Sequence, residues 1–270
     1  MKKLMIYFLI IVTLIILYSA LFESKNIVIK EYPITNNKIS TSHHGLKIVH
    51  FSDLHFGTTI KIKQLINIVD KINALNPDLV FFTGDLLDSN IEYTDVDIEE
   101  FIYEFNKIKP ALAAYIIKGN HDYEEIYNKI VDETNFTLLN NSVDYFYLED
   151  QNPIKIIGLG SLLKKDHDLT TLLLPEDELY TILLIHEPDL LKEINLNNID
   201  LVLAGHSHNG QVRLPYIGAI IKPEGAKQYY DERYLIDNTP IFISSGLGTS
   251  KINLRLFNPP SFNFYRLYNH

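Results

Sequence analysis

The 270 residues contain no cysteine, no tryptophan and only two methionines. Without thiols there is no disulfide staple, no thiolate nucleophile or metal ligand, and no cysteine to carry a lipid. Positive charge is scarce as well: 24 Lys and Arg stand against 34 Asp and Glu, a formal net charge of −10. Broad nucleic-acid binding needs the opposite balance, because Lys and Arg neutralise the phosphate backbone. No nucleic-acid partner is therefore expected. A small phosphorylated substrate stays open, since bound metal ions can supply the local positive charge. Apolar residues make up 46% and charged residues 21%, ordinary for a globular chain.

Long apolar runs are confined to one place. Residues 4–22 carry no charge over 19 positions. As a helix this run spans about 28 Å, close to the hydrocarbon thickness of a bilayer. Lys2 and Lys3 precede it, and Glu23, Lys25 and Lys30 follow. The positive-inside rule then puts the N-terminus in the cytoplasm and the rest outside. Residues 1–23 thus read as a single-pass anchor in the cell membrane, with the domain that follows extracytoplasmic. A cleaved signal segment is the alternative. It is disfavoured because the run exceeds a usual signal core, and Tyr18 would sit where a small residue is needed. Residues 24–44 read as a juxtamembrane segment with a first strand at 27–30. Residues 45–270 suffice for one α/β domain.

Beyond the anchor, short apolar runs each end in polar residues. They are 46–51, 79–82, 113–117, 181–185, 201–204 and 241–244. Runs of this length read as buried strands. Helical faces lie between the early ones. Ile62, Leu65, Ile66, Val69 and Ile72 form one, and Ile98, Phe101, Ile102, Phe105 and Ile108 another, the latter behind a Thr94-x-x-Asp97 capping box. Alternating strands and helices predict an α/β architecture, whose ligands bind at the carboxyl ends of strands.

Five chemistry-bearing elements fall at those ends. They are Asp53-x-His55, Gly84-Asp85-x-x-Asp88, Gly119-Asn120-His121-Asp122, His186, and Gly205-His206-Ser207-His208. Taken singly, Asp53 and His55 read as strand-end caps, Asp85 as a turn residue and a lone histidine as core. Asp88 divides evenly between turn former and support for a ligand. Five such elements in order are hard to obtain by chance. Imidazole with carboxylate and amide oxygen suits borderline divalent ions such as Mn²⁺, Zn²⁺ or Fe²⁺. Residues two apart on an extended segment point the same way, so His206 and His208 can face one centre.

This set resembles the calcineurin-like metallophosphoesterase superfamily, and within it the bacterial membrane-associated branch with a Gly-His-Thr-His-Gly-Gly-Gln motif. Here the motif reads Gly205-His206-Ser207-His208-Asn209-Gly210-Gln211. Asn209 in place of Gly is its clearest departure, tolerable because Asn accepts a left-handed backbone. His186-Glu187-Pro188-Asp189 and Gly246-Leu247-Gly248-Thr249-Ser250 also match that branch. The resemblance implies a four-layer α/β/β/α sandwich with two mixed sheets. It implies two divalent ions, one held by Asp53, His55 and His208, the other by Asn120, His186 and His206, with Asp85 bridging. A metal-bound hydroxide would attack phosphorus, His121 would protonate the leaving group and Asp122 would orient His121. The implied activity is hydrolysis of a phosphodiester or pyrophosphate in a phosphorylated small molecule or lipid-linked substrate. A nucleotide-linked lipid-sugar pyrophosphatase is the nearest alternative. A metal-supported binding scaffold fits less well because every expected ligand and His121 are present, and a dinuclear metallopeptidase because the Gly-Asn-His-Asp and Gly-His-x-His elements suit it poorly. Two apolar stretches, 161–175 and 213–230, are candidates for ordinary packing or for a rim that faces a lipid substrate.

Overall fold

Each of the six apolar runs becomes a strand, because its residues alternate onto two faces that are both covered. The computed structural model describes residues 1–122, 125–148, 152–175, 177–249 and 252–270. Its elements are α1 (Lys2–Leu21), β1 (Val28–Asn36), β2 (Lys47–Phe51), α2 (Ile62–Ala74), β3 (Leu79–Thr83), α3 (Asp95–Phe105), β4 (Ala113–Ile117) and α4 (Glu125–Asp132). They continue with β5 (Thr137–Leu138), β6 (Ser142–Phe146), β7 (Ile154–Gly158), β8 (Thr181–Leu184), β9 (Leu201–Ala204), β10 (Arg213–Leu214), β11 (Gly218–Ala219), β12 (Arg233–Ile236), β13 (Thr239–Ile243) and β14 (Ser261–Asn269).

Two six-stranded mixed sheets result. The first runs β1-β14-β2-β3-β4-β5 and the second β12-β13-β9-β8-β7-β6. In the first, β2 to β5 are parallel; in the second, β7, β8, β9 and β13 are parallel. The expected first strand is longer than four residues: β1 runs nine, parallel to β14 over its whole length. That pairing joins segments more than 230 residues apart, so no local pattern announces it.

The layers follow from which face each side chain takes. Val49, Phe51, Val80, Phe82 and Phe264 point outward to α2, α3 and α4, where Phe101, Phe105 and Ile130 meet them. Ile48, Phe81, Ile117, Ile156, Leu184 and Leu203 point inward between the sheets. Cutting one of these buried aromatics to Ala costs about 3–5 kcal/mol. The α3 capping box forms as expected, with Asp97 N donating to Thr94 Oγ1 at 3.2 Å. On α2 the buried set is Leu65, Ile68, Val69 and Ile72; Ile66 faces outward, since the stripe follows 3.6-residue periodicity rather than apolarity alone. The outer face of the second sheet is covered by 3₁₀ turns and loops, with Leu190, Leu191, Leu196 and Ile199 packed on Leu183, Val202 and Ile243. Leu162, Leu172 and Leu174 pack against that layer. The 161–175 stretch is thus mainly packing.

α1 stands apart. Of its twenty residues only Ser19 is buried. It is the one described helix long and apolar enough to cross a membrane, with mean hydropathy 2.7.

Candidate active site

The carboxyl ends of β2, β3 and β4 in one sheet and of β8 and β9 in the other meet at one edge of the sandwich. The backbone turns sharply there. Asp53, His55, Asp85, His206 and His208 all hold left-handed φ, between 44° and 65°. Such values cost a non-glycine residue roughly 1–3 kcal/mol and cluster where function fixes the geometry. They swing each side chain off its strand into the gap between the sheets. Gly84 and Gly119 make room. A Cβ on Gly119 would lie 2.2 Å from Asp85 Oδ1, and one on Gly84 2.6 Å from His186 Nδ1. Asn209 also takes the left-handed region, with φ 49° and ψ 31°.

Among the described residues, three side-chain clusters could each hold an ion: Asp53, His55 and His208; His55, Asp85 and His121; Asp85, His186 and His206. Asp85 belongs to two of them. Its Oδ2 lies 3.7 Å from His55 Nε2 and 3.2 Å from His186 Nε2, the latter an ion-pair contact rather than a hydrogen bond. His55 Nε2 and His208 Nε2 are 3.3 Å apart, and His208 Nε2 is 3.4 Å from Asp53 Oδ1. Both Asp53 oxygens accept from His206 N, at 3.2 and 3.1 Å, which ties the first sheet to the second.

The outward ring nitrogens have backbone partners. His186 Nδ1 donates to Thr83 O at 2.6 Å and His206 Nε2 to Glu224 O at 2.6 Å. A carbonyl can only accept, so in its neutral form each ring turns the lone pair of its opposite nitrogen toward the site; His186, raised by its acidic neighbours, gives up a proton to reach that form. Imidazole ligands are usually fixed in this way. Asn120 Oδ1 and His186 Nε2 are buried with no hydrogen-bond partner. Converging lone pairs, carboxylates and an orphaned amide oxygen form a donor set that fits a divalent cation.

Burial and mutual charge shape the titration. Burial and the Asp85 charge push the Asp53 carboxyl up to about 7 against the pull of His186. Burial would raise Asp85 too, but His186 and then His55 hold it well below the usual range. Burial would lower His186, but Asp85 together with Asp53 and Glu187 raises it well above its ordinary value. Burial lowers His55 to about 4 and holds His208 well below its ordinary value, the latter with help from Arg255.

Asp122 corrects a reading made from sequence. Its carboxylate accepts from Asp85 N at 2.7 Å, Leu86 N at 2.9 Å and Gly119 N at 2.9 Å. It clamps the loop that carries Asp85. The residue that meets the His121 ring is Ser89, whose Oγ lies 2.8 Å from Nδ1. Asp88 bonds Thr58 and the Asn90 backbone N–H at 2.9 Å and shapes the turn that brings Ser89 there. Glu187 accepts from Leu162 N and Leu163 N, and Asp189 from Lys227 N, Gln228 N and Tyr229 N. Those two carboxylates hold the loops on either side of His186.

A model of the calcineurin-like phosphoesterase domain matches residues 46–210, which include every ligand candidate above. The chain belongs to the calcineurin-like phosphoesterase family. The family is metal-dependent, and membership makes this chain a phosphohydrolase. An uncharacterized metallophosphoesterase of Bacillus subtilis, YkuE, is 31% identical over 93% of this chain and 88% of its own length. One from Campylobacter jejuni is 31% identical over 79% of this chain, which spans 57% of that longer protein. The UDP-2,3-diacylglucosamine pyrophosphatase LpxG of Chlamydia muridarum is 26% identical over 80% of this chain and 82% of its own.

Two residues outside the matched stretch escaped the sequence reading. Arg255 is fully buried beneath His208, with Nη2 3.4 Å from Nδ1, and it donates to the carbonyls of Ser245, Gly246 and Gly248. Asn258 Nδ2 donates to His208 O at 2.6 Å. A lone Arg and a lone Asn carry no spacing signal. The glycine-rich element that Arg255 binds was visible, though its Ser250 lies outside the described residues.

Proposed function

We propose that this phosphoesterase hydrolyses a phosphodiester or pyrophosphate bond at a dinuclear centre. Asp53, His55 and His208 would hold one divalent ion and Asn120, His186 and His206 the other, with Asp85 shared. The observation that carries this reading is the position of Asp85, within reach of imidazoles on both sides. Bound ions would supply Lewis-acid charge stabilisation and ease deprotonation of an attacking water. His121 serves the other end of the reaction. As the bond from water oxygen to phosphorus forms and the bond to the leaving oxygen breaks, it donates the leaving oxygen a proton. Ser89 fixes its ring through Nδ1, which leaves Nε2 to act. Asp122 keeps the Asp85 loop in register throughout.

The test uses the full chain in detergent micelles with bis-p-nitrophenyl phosphate. Chelation should abolish hydrolysis and Mn²⁺, Zn²⁺ or Fe²⁺ should restore it. His121→Ala should lower the rate by about 10²–10⁴-fold. Metal binding with this diester, a monoester and a pyrophosphate-linked lipid all left intact would overturn the reading.

A second, narrower reading takes a nucleotide-linked lipid sugar as substrate. The likeness to LpxG and the exposed apolar α1 favour it. We read α1 as a membrane anchor with the domain on the outer side, where such nucleotides are scarce. Protease treatment of intact cells distinguishes the sides. Degradation of the domain would favour an outward-facing diesterase, and protection would favour the pyrophosphatase.

A further inference from the structure

One surface near the site is built against the usual rules for water. The β10–β11 hairpin turns through Pro215, Tyr216 and Ile217, where tips facing water favour Gly, Asn and Asp. Tyr216 is fully exposed and left-handed at φ 67°, and Ile217 is 70% exposed. Ile220 and Ile221 follow, also exposed. Ile252 and Phe257, on a neighbouring segment, are more than 60% exposed.

That neighbouring segment fixes where the hairpin sits. Gln211 Nε2 donates to Ile252 O and Leu254 O, and Arg213 N donates to Leu256 O at 2.9 Å. On its other side the same segment grips α1. Ser19 Oγ donates to Arg255 O at 2.6 Å, and Asn258 N donates to Glu23 Oε1 at 2.8 Å. Ser19 lies inside the uncharged 4–22 run, one turn before its end. A segment bonded to it shares the depth of the last turn of α1, where a spanning helix leaves the hydrocarbon. The hairpin joined to that segment therefore stands beside the headgroup layer, the level at which tyrosine is favoured.

We propose that the hairpin tip, residues 220–221, Ile252 and Phe257 form a second membrane contact. It beds the domain in the lipid interface beside α1 and holds the His208 side of the site at headgroup level. The substrate it selects is a phosphate ester or pyrophosphate carried on a membrane lipid. This rests on α1 being a membrane anchor and on the phosphoesterase reading of the site.

The chain has no native cysteine, so single labels are unambiguous. Tyr216→Cys, Ile217→Cys and Ile252→Cys, each spin-labelled in the full chain in phosphatidylcholine–phosphatidylglycerol bilayers, report depth by collision with oxygen or a nickel chelate. Leu14→Cys in α1 is the lipid reference. Leu112→Cys, at the amino end of β4 opposite the site, is the water reference. Oxygen collisions exceeding nickel collisions at 216, 217 and 252, with the reverse at 112, are expected. Water-like values at the three sites with a lipid-like Leu14→Cys overturn the docking surface and leave the anchor standing. A water-like Leu14→Cys removes the anchor reading, and the docking surface falls with it. Shielding from both reagents with spin–spin broadening would mean that a second copy covers the face, which also overturns it.

Discussion

The two halves of the site are held in different ways. Asp53, His55 and Asp85 stand on loops bonded to one another within the first sheet: Asp53 N to Gly84 O, His55 N to Asp85 O, with Asp122 closing the Asp85 loop from below. Most of the supports of that half come from residues between β2 and α4, joined by Gly248 N, which donates to Asp53 O at 2.7 Å, and by His206 N, which donates to the Asp53 carboxylate. His206 and His208 stand on a loop whose supports arrive from far away. Glu224 holds one ring, and Arg255 and Asn258 hold the other residue. Those last two are bonded in turn to Ser19 and Glu23 at the end of α1. One half is held mainly by its own sheet; the other reaches back to the first helix. Supporting residues of this kind typically change metal affinity or activity by 10–100-fold. The helix is thus joined to the site through hydrogen bonds.

The difference can be broken or sharpened by substitution. Asp85→Ala serves both halves and should have the largest effect: about 10³-fold or more in diester hydrolysis, the scale of losing a preorganised electrostatic group. Calorimetric titration should show both binding events weakened; one event left intact would mean Asp85 is not shared. Asp122→Asn should come next. It replaces a buried carboxylate that accepts several N–H bonds, each worth about 1.5–3 kcal/mol to a charged acceptor. Thermal unfolding should show a stability loss of about 3 kcal/mol, and hydrolysis should fall, with both metal affinities weakened less than in Asp85→Ala. Removal of residues 1–23 tests the other half. It deletes Ser19 and Glu23, so one metal affinity should weaken about 10-fold with the second unchanged. Equal affinities in the full and shortened chains would show that the bonds to Arg255 and Asn258 are incidental.

A further effect concerns a histidine outside both halves. His50 is fully buried, bonded to Thr83 Oγ1 at 2.8 Å, and burial lowers it to about 3. The unfolded chain takes up a proton near pH 6.5 while the folded chain does not. Stability from this group is therefore intact above pH 6.5 and lost as pH falls toward 3. Between pH 7 and 5 the loss is about 2 kcal/mol. Urea titrations at the two pH values should show that loss shrink in His50→Gln.

What was legible from sequence follows the same division. Asp53, His55, Asp85, Asn120 and His121 each follow a buried run directly, so local order betrays both the strand and the residue at its end. The six apolar runs match β2, β3, β4, β8, β9 and β13 to within two residues. The role of Asp122 was not legible, because adjacency to His121 suggests a contact that the turn prevents. Arg255, Asn258 and Ser19 were hidden for a different reason. Their partners lie 47 to 236 positions away and depend on how β14 and α1 come back to the site. The 161–175 and 213–230 stretches looked alike as apolar strings. Only the covered face of the second sheet separates them, packing the first and leaving the tip of the second exposed.

The place of β14 has a consequence for biosynthesis. It is inserted between β1 and β2, parallel to one and antiparallel to the other. Until residues 261–269 leave the ribosome, β1 has no partner and the edge of β2 is bare. The first sheet therefore cannot close during synthesis, although its helices and central strands are made early. Nonlocal pairing of this kind slows folding and leaves strand edges open to wrong partners. With α1 acting as the anchor proposed above, that interval would be spent at the membrane surface, where a chaperone able to cover an open strand edge would matter most.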